Sequence, residues 1–276
     1  MNILESIVYG LISGLSEFLP ISSLGHQKLL DIFFGSGSPE PLRDMFIHIA
    51  FLAAVFIGCG TYIEKIHRQL RQNTKPTRRQ GQRRDRRAFY DASLLKGASF
   101  TMVLAMVILR ICFKSPDSLG IIAFLYLLNG IVLFLPEYIP HGNKDAMKMS
   151  AFDSFLLGLG SALSVLPGFS RVGCGLSCAV SRGADKAKAY NWVLVMTIPA
   201  ALVFLVFDII VVFQTGVGAI TFLGLLGYIL SGVFAFVSSL LGIYLMRLML
   251  VRSNMTVFAF YCWGAALLSF LLNLSA

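Results

Sequence analysis

Two short stretches of the sequence gather the side chains that could do chemistry on a charged substrate. The first carries Glu17, Ser23 and His26 around a Leu-Pro break, and the second carries Ser170 and Arg171 after another Leu-Pro break. An arginine guanidinium presents a planar fork of N–H donors that suits phosphate oxygens. A serine and a histidine are a nucleophile and a general acid or base in phosphoryl transfer. These residue types favour a phosphate-bearing substrate.

Further candidates for substrate binding lie beside the breaks and in the next apolar segment. Unwound backbone and helix N-termini expose N–H groups that bind anions. The candidates are Ser22, Gly168, Ser170 and His48. Each serine is equally consistent with a helix cap, and His48, with Asp44, fits the membrane interface as well as it fits a site. Structural alternatives also exist for Glu17, as an ion-pair partner of Arg171, and for His26, at the water interface.

The composition requires a membrane around most of this chain. The 276 residues are 57% hydrophobic and 13% charged, whereas a soluble domain is about a quarter charged. A helix needs about 20 apolar residues to cross the hydrocarbon core. The sequence predicts six spans and hence an all-α polytopic membrane protein; the spans are Met45–Ile63, Leu94–Phe113, Leu119–Leu135, Ala189–Phe213, Ala219–Leu250 and Thr256–Leu274.

Two shorter apolar segments, Ile3–Leu19 and Phe152–Leu166, each end in Leu-Pro. Proline ends a helix because it lacks a donor and clashes with the preceding turn, so each segment is predicted to form a re-entrant broken helical hairpin. The two breaks align at an offset of 147 residues. We therefore expect a single membrane domain, 1–276, made of repeats 1–140 and 150–276, each a broken hairpin plus three transmembrane helices.

The distribution of positive charge predicts the orientation. The segment 64–93 is predicted to be a loop and holds ten Lys and Arg residues, and 17 of the 23 in the chain fall on the same side of the predicted topology. Cytoplasmic loops collect positive charge, so this side is placed inside, facing membrane lipids rather than nucleic acid. The repeats then have opposite orientation, an inverted topology. The five cysteines lie in apolar segments and are predicted to be small buried residues without disulfides.

The motifs resemble those of a known enzyme family. The pattern Gly-Leu-Ser-Glu17-Phe-Leu-Pro-Ile-Ser-Ser-x-Gly-His26 resembles the signature of the bacitracin-resistance type undecaprenyl-pyrophosphate phosphatases, as does Leu-Pro-Gly-Phe-Ser170-Arg171-x-Gly. Asp44-Met-Phe-Ile-His48 is similar to a third family segment. The resemblance implies a bacterial inner-membrane hydrolase whose site faces outward. It would remove the terminal phosphate of undecaprenyl pyrophosphate, which recycles the lipid carrier of cell-wall peptidoglycan synthesis.

The resemblance also assigns roles. It implies that Glu17, Ser23, His26 and Arg171 are catalytic, with His26, or Ser23 assisted by His26, attacking phosphorus or activating water. It implies a divalent cation, Mg²⁺ or Ca²⁺, held by Glu17 with Ser13, which stands where the family has a first glutamate. Inverted repeats with broken helices also build transporters. A polyprenyl-phosphate flippase and a non-catalytic paralogue are therefore the alternatives.

Overall fold

The computed structural model describes residues 2–35, 40–72, 83–113, 118–139, 142–216, 221–252 and 255–275. Within these residues the chain is helical, without a β-strand. The α-helices in chain order are α1 (Ile3–Phe18), α2 (Ser23–Phe33), α3 (Pro41–Gly58), α4 (Gly60–Gln72), α5 (Arg83–Cys112), α6 (Leu119–Phe134), α7 (Ala151–Ala162), α8 (Arg171–Ser181), α9 (Lys186–Thr215), α10 (Phe222–Arg252) and α11 (Thr256–Ser275).

Six of these helices are long and apolar enough to cross a membrane. They are α3, the Phe89–Cys112 part of α5, α6 with its 3₁₀ extension to Tyr138, α9, α10 and α11. Each corresponds to one span expected from the sequence, although Ala219, the first residue of the fifth predicted span, lies outside the described residues. The prediction of an all-α polytopic membrane protein is confirmed.

The basic segment 64–93 differs from the predicted loop wherever the structure describes it. Helix α4 continues to Gln72 and α5 begins at Arg83, while residues 73–82 lie outside the described part. Lys, Arg, Glu and Gln are good helix formers, and Glu64 pairs with Arg68 one turn later. Local propensity therefore extends both helices beyond the apolar spans. The cytoplasmic location of this segment stays a prediction.

The two short apolar segments form broken hairpins, as predicted. Helix α1 ends before Leu19, whose backbone is extended, and α2 begins at Ser23. Helix α7 ends in a 3₁₀ turn, Leu163–Val165, and α8 begins at Arg171. These four helices have 16 residues or fewer, which is short of the roughly 20 that a span needs. A hairpin followed by three long helices occurs twice, and the inverted orientation of the two repeats stays a prediction.

Small residues let α1 approach α10 closely. A Cβ atom at Gly10 would lie 2.3 Å from the Ser231 carbonyl oxygen, and one at Gly14 would lie 2.2 Å from that of Ala235. Glycines four residues apart form the surface that lets membrane helices pack backbone to backbone. The Ser238 hydroxyl also donates to the Gly10 carbonyl, at 3.3 Å. This packing fixes α1, and with it the position of the first Leu-Pro break.

The cysteines are free thiols, as the sequence predicts, since none forms a disulfide. Cys59, Cys174 and Cys262 are buried, and Cys178 is half-buried. Cys112 is exposed at the end of α5, which corrects the expectation that all five are buried. It lies on the last turn of a span, where no neighbouring helix covers it among the described residues.

Candidate active site

The tips of the two hairpins meet in the middle of the bundle. The Ser22 hydroxyl oxygen accepts hydrogen bonds from the Gly25 N–H, at 3.2 Å, and from the Gly168 N–H, at 3.0 Å. The Ser170 hydroxyl donates to the Leu19 carbonyl at 3.3 Å. Each tip therefore contributes one serine whose hydroxyl bonds to the backbone of the opposite break. The hydroxyl of Ser22 also caps its own helix, α2. The two Leu-Pro breaks are therefore in direct contact.

Both tips contain a residue in the left-handed backbone region. Ser22 has φ +67° and Gly168 has φ +116°. Such a backbone costs a non-glycine residue about 1–3 kcal/mol and persists only where the surroundings enforce it. At Gly168 a side chain would also collide, since its Cβ would lie 2.7 Å from that of Leu125 and 2.9 Å from the Tyr126 nitrogen. The tips are therefore held in shape by each other and by α6.

Asn129 of α6 fastens both tips to the bundle. Its carboxamide oxygen accepts from the Ser170 N–H at 3.0 Å, and its nitrogen donates to the Pro20 carbonyl at 3.4 Å. It is completely buried. The sequence suggests no more than a packing role for Asn129, whereas the structure makes it a positioning residue. The available signal is a carboxamide in the middle of an apolar span, where polar groups are costly.

Glu17 and Arg171 form a buried ion pair between the hairpins. The Arg171 Nη2 and Nε atoms lie 2.7 Å and 3.2 Å from the Glu17 Oε1 atom, and Nη1 donates to the Val193 carbonyl at 3.0 Å. The side chain of Arg171 is 2% exposed and that of Glu17 is 15% exposed. Contacts with Glu17 of α1 and Val193 of α9 thus fix the direction of the guanidinium fork.

A narrow inner cleft lies beside this ion pair. It gives the centre of a water molecule about 10 Å³ of space, which is about enough for one water. Helices α2 and α8 both begin at its wall, and a helix N-terminus attracts anions through its free N–H groups and its dipole. The polar residues lining the cleft are Ser16, Glu17, Ser23, His48, Ser164, Ser170 and Arg171.

A larger outer cavity adjoins the inner cleft. It gives the centre of a water molecule about 420 Å³ of space. Its lining includes His48 and Phe204, which also line the inner cleft. Charged side chains of both signs surround it, together with apolar side chains of α9; the charged ones are Lys28, Asp31, Arg43, Asp44, Arg110 and Asp208. The Arg43 Nε atom pairs with the Asp44 Oδ1 atom at 3.1 Å, and the Arg43 guanidinium lies over the ring of Tyr9. The outer cavity has room for a pyrophosphate group.

The two candidate histidines lie in different surroundings. His48 lines both the inner cleft and the outer cavity. The His26 ring faces α6 and α11, where its Nδ1 atom lies 2.6 Å from the Ser22 carbonyl oxygen and its Nε2 atom 2.7 Å from the Tyr261 hydroxyl. His26 is absent from the residues that line the inner cleft. The structure thus brings Glu17, Ser23, His48, Ser170 and Arg171 together and sets His26 apart.

The predicted metal ligands do not form a complete cation site. Ser13 is completely buried, and its hydroxyl accepts from the Gln27 carboxamide at 3.0 Å. Glu17 is paired with Arg171. Magnesium and calcium prefer six or more oxygen ligands, and the described residues contain no group of three His, Cys, Asp or Glu side chains suited to a metal ion. The divalent cation therefore stays a prediction, since Mg²⁺ can also take ligands from water and from substrate phosphates.

Asp208, which contacts His48, is a functional candidate that lies outside the sequence motifs. Its Oδ2 atom lies 2.7 Å from the His48 Nδ1 atom. Asp208 sits inside the fourth predicted span, and an ionisable residue in lipid is a functional candidate by default. That signal could have found Asp208, but no local pattern pairs it with His48, 160 residues away.

This fold and this site define a polytopic membrane protein whose charged, phosphate-suited centre lies where two broken hairpins meet. Comparison with known proteins agrees. The family model described as bacitracin resistance protein BacA matches residues 6–268. The undecaprenyl-diphosphatase 1 of Shouchella clausii is 30% identical over 277 residues, covering 98% of this chain and 96% of that protein. The undecaprenyl-diphosphatase of Thermosipho africanus is 29% identical over 280 residues, covering 97% and 99%. The chain belongs to the bacitracin resistance protein BacA family.

Proposed function

We propose that this protein hydrolyses undecaprenyl pyrophosphate to undecaprenyl phosphate and phosphate, and so recycles the lipid carrier of cell-wall synthesis. The observation that carries the proposal is the buried Arg171 fork, set beside Glu17 at two helix N-termini inside a membrane bundle. Relatives matched over nearly the full length are named undecaprenyl-diphosphatases. A phosphate-binding centre at membrane depth suits a substrate whose polar group is attached to a long isoprenoid chain.

Substrate binding begins in the outer cavity, because that cavity alone of the two has room for a pyrophosphate. The terminal phosphate then approaches the Arg171 fork from the outer cavity, because the inner cleft itself holds no more than about one water. The phosphate oxygens replace Glu17 as partners of the Arg171 fork, a bidentate arrangement that phosphate and carboxylate share. Ser170 lines the inner cleft, whereas Ser22 and Gly168 lie outside its lining and bond to each other, so they fix the shape of the tips. The N-termini of α2 and α8 offset the added negative charge.

The chemical roles follow from these positions. Arg171 stabilises the charge that develops on the transferred phosphoryl group, because phosphoryl transfer is accelerated mainly by positioning and electrostatic stabilisation. Ser23, at the first position of α2, contacts the phosphate, and Glu17, once displaced, orients the incoming nucleophile. The role implied for His26 stays a prediction, since the His26 ring faces away from the inner cleft.

The location of the site is also part of the proposal. The protein is a multi-pass membrane protein; we place it in the plasma membrane of a bacterium, with the outer cavity open to the external side. The support is the charge distribution of the sequence, which puts the start of α3 and the end of α9 on the external side. Residues near both of these ends border the cavity. Cysteine labelling from outside intact cells should modify a cysteine at Ser38 and leave one at Gln80 unmodified. The reverse pattern would refute the orientation.

Release of phosphate from purified protein tests the activity. Wild-type protein with C55 pyrophosphate in detergent should release phosphate, and Arg171→Ala should not, while exposed Arg68→Ala serves as a matched control with unchanged activity. A wild type that releases no phosphate contradicts the proposal. If such a protein moved polyprenyl phosphate across liposomes, the flippase alternative would hold instead.

A second measurement addresses the divalent cation, which stays a prediction. Ser13→Glu restores the second carboxylate and places it next to Gln27, whose carboxamide already donates to position 13. A second anionic oxygen strengthens a site for a hard cation. Phosphate release by Ser13→Glu should therefore respond more steeply to Mg²⁺ or Ca²⁺ than release by wild type. Identical metal dependence in the two proteins would show that position 13 takes no part in cation binding.

A further inference from the structure

We propose that His48, oriented by Asp208, is the general base of this site, an inference that rests on the proposed phosphatase function. His48 is a catalytic residue in this scheme because its imidazole takes a proton from the attacking water. Asp208 is a positioning residue because it acts through His48. The pair lies on two spans, α3 and α9, and outside both hairpins that carry the other functional groups.

The geometry fixes which nitrogen of His48 is available. The Asp208 carboxylate accepts a hydrogen bond from Nδ1 at 2.7 Å, so the proton of the neutral ring stays on Nδ1 and Nε2 carries a lone pair. No hydrogen-bond partner occupies Nε2 among the described residues. The same logic, a carboxylate that sets the tautomer and orientation of an imidazole, operates in hydrolytic triads.

The ring of His48 is held in place on the wall of the inner cleft. Phe204 stacks on it, with ring centroids 5.2 Å apart and an interplanar angle of 8°. Phe51 meets it at 5.7 Å and 76°. Both phenylalanines line the cleft with His48, Glu17 and Arg171, and Glu17 is near enough to His48 to interact electrostatically. The imidazole, the Glu17 carboxylate and the Arg171 guanidinium therefore border one cleft, in which we place the attacking water.

His26 lacks the features that a base needs in this structure. Its Nδ1 and Nε2 atoms are both engaged, by the Ser22 carbonyl and by the Tyr261 hydroxyl. The Tyr126 hydroxyl also lies 2.9 Å from Nδ1, and Tyr261 stacks on the ring. These contacts tie the start of α2 to α6 and α11. His26 thus holds the first hairpin in place, while His48 faces the reacting groups.

The free-energy cost of burying two ionisable side chains within membrane spans argues against a purely structural role for His48 and Asp208. His48 lies seven residues from the start of α3, and Asp208 seven residues from the end of α9. At ~1.5 Å per residue each is about 10 Å inside its helix. The side chain of His48 is 6% exposed and that of Asp208 is 17% exposed. Ionisable groups at such depth are rare and mark sites or proton paths.

Hydrolysis by this route forms one bond to phosphorus and breaks another. The oxygen of a water in the inner cleft forms a bond to the terminal phosphorus, and His48 Nε2 accepts one proton of that water. The bond between this phosphorus and the bridging oxygen breaks, and the bridging oxygen leaves with the electron pair as part of undecaprenyl phosphate. The imidazolium is stabilised by Asp208 until it passes its proton to solvent through the outer cavity.

The experiment compares kcat and KM across histidine variants of the full-length protein. His48→Gln should lower kcat for C55 pyrophosphate by roughly 10²- to 10⁴-fold, the usual contribution of a general base, with little change in KM. Asp208→Asn should lower kcat by at least roughly tenfold, because the tautomer is no longer set. His48→Gln/Asp208→Asn should lose no more than His48→Gln alone, since the two act as a unit. Exposed His67→Gln is the matched control.

Two further measurements keep the proposal falsifiable if a variant folds poorly. His48→Ala should regain part of its kcat when imidazole is added, which requires a folded site. His26→Gln should lose at least roughly tenfold less kcat than His48→Gln, because it removes no proton acceptor from the cleft. A His48→Gln protein with wild-type kcat, beside an active wild type, overturns this proposal and leaves the phosphatase intact. A wild type without phosphatase activity overturns both.

Discussion

The two hairpins have the same architecture but different surroundings. Helix α8 of the second hairpin is buried along nearly its whole length, from Arg171 to Val180. Helix α2 of the first hairpin buries only Ser23, Gly25 and Gln27, and its Lys28 and Asp31 face the outer cavity. The second hairpin is therefore enclosed by the bundle, and the first is the one whose side chains border the outer cavity.

The two charges of the buried ion pair come from different hairpins. The anion, Glu17, lies before the first break, and the cation, Arg171, lies after the second. Neither hairpin holds this ion pair by itself, so each would bury an unpaired charge if it folded without the other. The candidate phosphate-binding groups therefore come together only when both hairpins are packed.

Disruption of the ion pair should have the largest effect. Removal of one partner of a buried pair leaves an uncompensated charge, which costs about 3–5 kcal/mol, so Glu17→Leu or Arg171→Met alone should sharply lower the thermal stability in detergent. The double variant Glu17→Leu/Arg171→Met should recover much of that stability but no activity. Arg171→Lys should keep a charge yet lose roughly 10²- to 10³-fold in kcat, because one donor position of the fork is lost.

An exposed pair gives the reference for this measurement. Arg68→Ala removes the partner of Glu64 on α4, where both side chains are more than half exposed. Surface pairs contribute about 0–1 kcal/mol, so the stability should hardly change. Equal losses at Arg68 and Arg171 would show that burial between the hairpins does not decide the effect.

Gly168→Ala tests the tip of the buried hairpin and should have an intermediate effect. The added methyl group would collide with Leu125 and Tyr126, and the backbone at φ +116° disfavours any side chain. We expect a loss of about 1–3 kcal/mol of stability, together with lower activity, because the Gly168 N–H holds Ser22 of the opposite tip. Gly264→Ala is the matched control, since a Cβ there meets no atom within 4 Å.

Paired substitutions at the two capping serines should have the smallest effect and distinguish the backbones of the two tips. Glycine replaces a capping serine better than alanine does at any helix start. The advantage of glycine over alanine in the free energy of unfolding should be about 1 kcal/mol larger at position 22 than at position 170. The reason is that Ser22 has φ +67° whereas Ser170 has φ −99°. Thermal unfolding of Ser22→Gly, Ser22→Ala, Ser170→Gly and Ser170→Ala measures the difference. Equal advantages at the two sites would mean that the backbone of Ser22 stores no strain.

The spans, the hairpin breaks and most of the site residues could be predicted from the amino-acid sequence. Runs of about 20 apolar residues leave few alternatives to a spanning helix, and proline after a short run ends the helix. The motifs around Glu17 and Arg171 predicted the serine caps and the candidate phosphate-binding groups, and the structure brings Glu17 and Arg171 together. The segment 64–93 was less predictable, because charged residues with high helix propensity extend spans as readily as they form loops.

The amino-acid sequence was sufficient to identify the polar groups that the protein places in lipid: a carboxylate, a guanidinium, capping serines and two histidines on apolar helices. They stand out because each such group is too costly in hydrocarbon to be incidental. Which of these groups meet was visible only in the folded chain. Helix α9 brings Asp208 to His48 across 160 residues, and α6 with α11 turns His26 away from the cleft. Side-chain direction and long-range packing set these partners, and neither is written in the local spacing of residues.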